Sequence, residues 1–497
     1  MGSRSRRMIA AAAATALAST TTVVAVSEGT AQAKAAPSPW IQLSSGYGVN
    51  SSYQPRVVRW QGKLLVAWVQ TTADNSNTAL NTRLLSAKAK PIGGITAALS
   101  PVWSSVSSDP VPFLLGGVPT IAFGGLRSLD TSDPYNGQMS YVQAADATSW
   151  ALGAGALTAS RSAYGDYGLG AVDDGTGVPV TAGAYSSTDH ISVHHGIDTV
   201  PPTSTDVQLA PTGGDAYDAN VARDLKTGVT YAIWYSAAND AANQGIRAAE
   251  IWPTQNAPLP PAPLSTVQFQ GQTESVSSNQ DVGITSRLGG GVWAVYSSGY
   301  PSPHTVVLWK VGTSTRLTLK TSGEVQYPTV SAGPGGRLWV SWIEGSQIRA
   351  VRTNPSVTKW GVVRALTTPA AEGESPTSIT GDGQLGPLDA AINVASKPLV
   401  KGNNAAPEIF AARIYEGLKV TATRGISYTK GGTVTVTVSD AGLAVRGVKV
   451  VVGGKAKTTN AAGQVTFAVP ALSAKGAHSV LATAIGWYPG QASFRIG

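Results

Sequence analysis

The chain of 497 residues has no cysteine, three methionines, five histidines and only 13% charged residues. The absence of cysteine excludes disulfides, thiolate metal sites and a cysteine nucleophile. Stability must then come from core burial, and 497 residues exceed what one ordinary core holds, so several domains or a repeat array are expected. Beyond the amino-terminal region no stretch reaches ~20 uninterrupted apolar residues, so no membrane-spanning helix is expected. The G-x-S-x-G, H-E-x-x-H and P-loop patterns are missing, which leaves esterase, zincin and NTPase chemistry without a motif.

What is present is 56 glycines and 30 prolines punctuating short runs rich in Val, Thr, Ser, Tyr and Trp. That texture predicts an all-β protein. At the amino terminus Arg4, Arg6 and Arg7 precede an apolar or small-residue run from Met8 to about Val26, and "AQAKAAP" offers cleavage after Ala33 or Ala35. Residues 1–35 therefore read as a secretory signal peptide, and the mature chain as secreted and extracellular. The run "SRRMI" also resembles a twin-arginine signal, so both export routes stay open. High Ala and Gly usage behind such a leader resembles exported proteins of high-GC Gram-positive bacteria.

A unit of strand, glycine turn and second strand recurs at roughly 40 to 50 residues, a period that marks propellers and arrays. Copies begin at Pro55 ("PRVVRWQGKLLVAWVQ"), Val111, Tyr167, Ala219, Asp281 and Pro328 ("PTVSAGPGGRLWVSWIEG"), with a weaker one at Pro376. The second strand usually ends on a large aromatic, namely Trp68, Phe123, Tyr185, Trp234, Tyr296 or Trp342, expected to pack between repeats. A third strand follows each copy, and often a fourth opened by Trp. The expected fold is a seven-bladed β-propeller over residues 39–417, with 39–45 ("PWIQLSS") as closing strand of the last blade. Because the seventh copy lacks the aromatic, a six-bladed ring with an irregular connector is the rival count.

From residue 418 to 497 the texture changes to strict alternation with frequent Gly and Asn turns. The pattern "V-x-V-x-D-x-x-G…G-V-x-V…T-x-x-x-G" resembles bacterial immunoglobulin-like modules, which implies a small β-sandwich that acts as spacer or adhesive unit. The whole chain is formally +8. Nine cations (Lys419, Arg424, Lys430, Arg446, Lys449, Lys455, Lys457, Lys475 and Arg495) face a single acid, Asp440, in this segment. The mature propeller segment is left slightly acidic. A basic module attracts anionic partners, either a cell-wall polymer, an acidic protein or a membrane surface, or it serves solubility alone. Nucleic acid is not expected, because the cations are not interleaved with stacking aromatics.

Candidate chemistry lies where propeller loops converge on the channel. Acids precede or open the first strands at Asp109, Asp166, Asp218, Glu274, Glu324 and Glu374. Such a ring can bind a hard cation, act as acid and base on a glycoside, hydrogen-bond sugar hydroxyls, or merely cap turns. If hydrolysis occurs, Asp218, Glu274, Glu324 and Glu374 are the candidate catalytic carboxylates. No cofactor is required, and calcium is the ion that oxygen ligands would suit.

The loops after second strands are uneven, and Gly124 to Gln138 is the longest. Arg127, Asp133, Tyr135, Asn239, Asp240, Tyr300 and His304 form the aromatic, amide and carboxylate set that holds a sugar, so they are the candidate ligand-binding residues. Three of the five histidines fall in "DHISVHHG" (His190, His194, His195), but neighbours on a strand point to opposite faces and cannot easily share a metal.

In layout the ring resembles sialidase-type and other sugar-recognising propellers. The Asp-box pattern S-x-D-x-G-x-T-W is absent, "VDDGTG" from Val172 reads as a hairpin turn, and no three-arginine carboxylate clamp stands out. The architecture is also similar to the propeller lectins carried by secreted antibacterial toxin particles of actinobacteria. These resemblances imply a non-catalytic, lectin-like protein that binds a glycan or envelope component, alone or within such an assembly. A secreted glycoside hydrolase or lyase is the alternative.

Overall fold

The structure is a computed structural model that describes residues 39–44, 54–71, 78–99, 105–106, 108–127, 130, 132–133, 135, 137–146, 149–157, 168–184, 191–199, 207–209, 216–236, 244–254, 257–264, 268–269, 272–273, 282–299, 302–370, 374–396, 408–423 and 425–497. All of these belong to one compact unit, Pro39–Gly497. The leader segment, and with it the signal-peptide expectation, lies outside them.

Among the described residues the protein is all-β apart from one 3-10 turn. Strands up to Ile414 form seven four-stranded antiparallel sheets. Their innermost strands are Arg56–Trp60, Val111–Leu115, Leu169–Asp173, Ala216–Arg223, Gly283–Ser286, Gln326–Ala332 and Glu374–Asp382. Each of these contacts the next and the last contacts the first, so the sheets are blades of a closed β-propeller. They are called blades 1 to 7 below.

Blade 6 shows why the sequence folds this way. Leu338–Glu344 and Gln347–Arg352 are joined by the two-residue turn Gly345-Ser346, with Gly345 at φ 62°, a conformation glycine adopts without a Cβ penalty. The buried side of this hairpin carries Leu338, Val340 and Trp342, which pack against Trp293, Val295 and Val306 of blade 5. Trp68 of blade 1 packs in the same way on Ala391, Ile409 and Ala411 of blade 7. The second-strand aromatics are therefore core between blades.

Blade 7 takes its outer strand from the other end of the ring. Ile41–Gln42 pairs antiparallel with Glu408–Ile414, Ile41 opposite Ala411 and Gln42 opposite Phe410. Trp40 is buried with Trp339, Ile343 and Ile348 of blade 6 and Ile379, Leu388 and Ile392 of blade 7, and its Nε1 donates to Thr367 O at 2.8 Å. An aromatic from outside the seventh repeat thus fills the gap that its own sequence leaves.

Close approach of the innermost strands constrains Gly170. A Cβ there would lie 2.4 Å from the main-chain nitrogen of Val221 on blade 4, and backbone cannot step aside. Gly170→Ala is expected to lower the unfolding free energy by about 1–3 kcal/mol through overpacking. An unchanged urea midpoint would show that blades 3 and 4 are looser than described.

From Lys419 onward two four-stranded sheets face each other. One joins Lys419–Ala422, Gly432–Asp440, Leu443–Ala444 and Gln464–Val469; the other runs Lys455–Thr458, Lys449–Val452, Gly476–Thr483, Gly490–Ile496. Alternation puts Val434, Val436, Val438, Val450, Phe467, Val480 and Phe494 inside and threonines, serines and lysines outside. This sandwich docks on blade 6. Asp440 accepts from Arg337 Nη1 at 2.8 Å and Arg352 Nη2 at 2.7 Å, while Arg352 Nη1 lies 2.9 Å from Glu416. The Arg352 guanidinium also sits over the rings of Trp339 and Trp487.

Candidate functional site

The seven innermost strands enclose a cavity of about 230 Å³ on the propeller axis. Its lining includes Arg56 and Arg59 from blade 1, Asn220 from blade 4, Thr285 from blade 5, Thr329 and Ser331 from blade 6, and Thr380, Asp382 and Gln384 from blade 7. Toward the first-to-second-strand hairpins it is continuous with a second space of about 310 Å³ beside Arg223, Leu225, Ser286 and Leu288. Amides, hydroxyls and guanidiniums dominate the axial cavity, which suits a polar guest.

Two arginines of the first strand organise that cavity. The Arg59 side chain is 5% exposed; its Nε donates to Asp382 Oδ1 at 2.8 Å and its Nη2 lies 2.8 Å from Asp389 Oδ2. Arg413 closes the group from the far side, with Nε 2.7 Å from Asp389 Oδ1. Burial raises the Asp382 carboxyl above its ordinary range, against the pull of Arg59. Arg59 Nη1 and Ser331 Oγ, both on the cavity wall, have no hydrogen-bond partner among the described residues.

At the opposite end of the same strand Arg56 Nη2 lies 3.8 Å from Asp109 Oδ2, and Gln54 donates its main-chain N–H to Asp109 Oδ1 at 2.7 Å. Burial pushes the Asp109 carboxyl up to about 6, more than the Arg56 charge and the Gln54 N–H pull it down. The folded state therefore binds this proton more tightly than the unfolded chain does. Stability from this group is full below the unfolded value near 3.8 and is lost as pH rises through about 6. Asp109→Asn is expected to flatten the stability profile between pH 4 and 6, where wild type should fall by up to about 3 kcal/mol. Denaturant midpoints measured across that range check it.

The structure scatters the sequence-derived residues. Arg127, Asp133 and Tyr135 come together, but as a buried knot: Arg127 Nε donates to Asp133 at 2.9 Å, its Nη1 donates to the carbonyls of Gly153 and Gly155, and its guanidinium lies over the Tyr135 ring at 4.6 Å. These groups order their loop and offer a ligand little. His304 is exposed on its own loop. Asn239, Asp240 and Tyr300 lie outside the described residues.

Among the acids, Asp218 is buried at φ 57°, and its carbonyl accepts from Val282 N, tying blade 4 to blade 5. Glu324 is exposed and Glu374 half-buried at the start of blade 7. Asp166 and Glu274 lie outside the described residues. No group of three or more His, Asp or Glu side chains among the described residues is arranged to hold a metal ion.

His194 and His195 turn to different partners. His195 Nε2 is 2.9 Å from Asp174 and its ring stacks on Trp252, while His194 is 3.7 Å from Asp198. His190 lies outside the described residues. The third-strand arginines Arg349 and Arg413 pair within their own blades, with Glu344 and Asp389.

Sequence reasoning missed Arg56, Arg59, Asp382 and Ser331. A signal was available, since "RVVR" places two arginines on a strand that the ring buries, and a buried arginine demands a carboxylate.

No family model matches the chain, and no curated protein matches it in sequence. Among solved structures it is similar to a phage phi92 endosialidase, at 9% identity and a TM-score of 0.37, over 76% of this chain and 68% of that one. An exo-β-1,3-galactanase from Clostridium thermocellum matches at 10% identity and a TM-score of 0.28, over 62% of this chain and 84% of that one. A Bombyx mori β-fructofuranosidase matches at 9% identity and a TM-score of 0.28, over 73% of this chain and 92% of that one. Overlaps this partial carry no inference about ligand or activity.

Proposed function

We propose that the protein is an exported carbohydrate-recognition propeller that binds a glycan without cleaving it, the axial cavity receiving one sugar unit. The observation that carries this reading is a small polar cavity with uncommitted hydrogen-bonding groups, Arg59 Nη1 and Ser331 Oγ, on its wall. At about 230 Å³ it is smaller than the roughly 300–1,000 Å³ of clefts for drug-sized ligands, so a single polyhydroxylated ring fits its scale. Hydrolysis needs two carboxyl groups facing each other across the substrate. Asp382 and Asp109, the carboxylates nearest the cavity, each face an arginine instead.

One observation favours the hydrolase alternative, namely Asp109, whose carboxyl at about 6 keeps a proton available near neutral pH. A glycan array probed with the full chain, followed by assay of the bound glycans for released sugar, separates the two. The expected result is binding to a narrow set of glycans with no release, abolished by Ser331→Trp, which fills the cavity. Release of sugar transfers the assignment to the hydrolase, and an array without any bound glycan sinks both. The resemblance to propeller lectins of secreted toxin particles extends the proposal to membership of such an assembly, for which copurifying secreted subunits are the check.

A further inference from the structure

The sandwich has one side-chain carboxylate, Asp440, and that residue is 1% exposed and turned onto Arg337 and Arg352 of the propeller. Docking therefore removes the only acid from the module's surface. Eight cations remain there, Lys419, Lys430, Arg446, Lys449, Lys455, Lys457, Lys475 and Arg495, all exposed and none ion-paired among the described residues. Four of them fall within the twelve residues from Arg446 to Lys457. This segment includes a hairpin, Lys449–Val452 and Lys455–Thr458, turned at Gly453-Gly454, and its second strand is the free edge of the sheet.

We propose that this basic hairpin is a docking site for a linear phosphodiester polymer, of the polyol-phosphate kind that envelopes carry, separate from the glycan site of the propeller. Three properties select that occupant. Lys455 and Lys457 stand about 6.6 Å apart along the edge, and alternate main-chain N–H groups of a free edge face solvent, so the hairpin presents donors and positive charge in a row. Phosphodiester oxygens are acceptors that carry charge at each repeat.

A second β-strand is disfavoured, because short edge strands bearing lysine resist strand addition. A nucleic acid strand is disfavoured, because no aromatic side chain is exposed on the hairpin for bases to stack on. Lysine, a point charge on a flexible stem, suits a polymer bound without fixed register better than arginine's planar fork would.

The test uses the full chain and a purified polyol-phosphate polymer, with affinity measured across a salt series for wild type and for the triple variant Lys449→Gln, Lys455→Gln, Lys457→Gln. The wild type should bind, and the variant should lose about tenfold or more in affinity, with a plot of log K against log[salt] shallower by about two. Its melting should be unchanged, because all three side chains are exposed. A second variant, Lys419→Gln with Lys475→Gln, removes charge elsewhere on the module and should retain most of the binding. Equal loss in both variants, equal binding of wild type and the triple variant, or tighter binding to polyglutamate or single-stranded DNA at matched charge overturns the assignment. Glycan-array results bear on the propeller alone, so either proposal can fail without the other.

Discussion

Arg59→Ala should lower the unfolding free energy by about 3–5 kcal/mol, the usual cost of leaving a buried charge without its partner. The side chain is 5% exposed and holds together Asp382 and Asp389, which are 9% and 1% exposed. Both carboxylates belong to blade 7, whereas Arg59 belongs to blade 1, so the group spans the seam where the ring closes. Alanine would leave Asp382 facing the cavity with no cation and Asp389 with Arg413 alone. The check is urea denaturation followed by tryptophan fluorescence, since Trp68 is buried at the same seam. Arg59→Lys should recover only part of the loss, because one ammonium cannot span two carboxylates as the guanidinium does. A midpoint unchanged in the alanine variant would mean that the seam does not depend on charge.

Asp440→Ala should be comparably severe, about 3–5 kcal/mol, but local in its consequence. Arg337 and Arg352 would be left side by side with Glu416 as their sole nearby acid. Repulsion between the two guanidiniums would then press the sandwich away from blade 6. Limited proteolysis of the full chain is expected to gain a cut within 415–418, the connection between Ile414 and Lys419, yielding a propeller-sized fragment while the strands on either side resist. Identical cleavage of variant and wild type would show that apolar contacts alone hold the modules together.

Much of the β architecture was legible because it is written in short-range signals. "GGRLWVSWIEGSQIRAVR" declares two strands and a turn through period-two alternation and glycine, and Leu338–Glu344 and Gln347–Arg352 form where that pattern places them. The inward direction of Trp342 and Trp68 follows from the same alternation. The buried polar groups were not legible. Arg59 meets Asp382 across 323 residues, and no local pattern encodes which carboxylate a distant arginine will find. Asp440 looked like a minor offset to the module's charge until its direction was known. Arg127 illustrates the opposite error: a loop rich in binding-type residues satisfies its own main chain instead.

The pairing of Ile41–Gln42 with Glu408–Ile414 also sets a timetable. Gln42 hydrogen-bonds Glu408 across 366 residues, so the strand synthesised first can take its place only after the whole ring has been made. Until then blade 7 exposes an unpaired edge and the seam stays open, a state prone to strand exchange between chains. Loop closure over such a span is slow, because its entropy is lost before any contact offsets it. Completion of the ring is therefore a late and single event in the molecule's assembly, and crowding of nascent chains should trap open rings more readily than it traps any other intermediate.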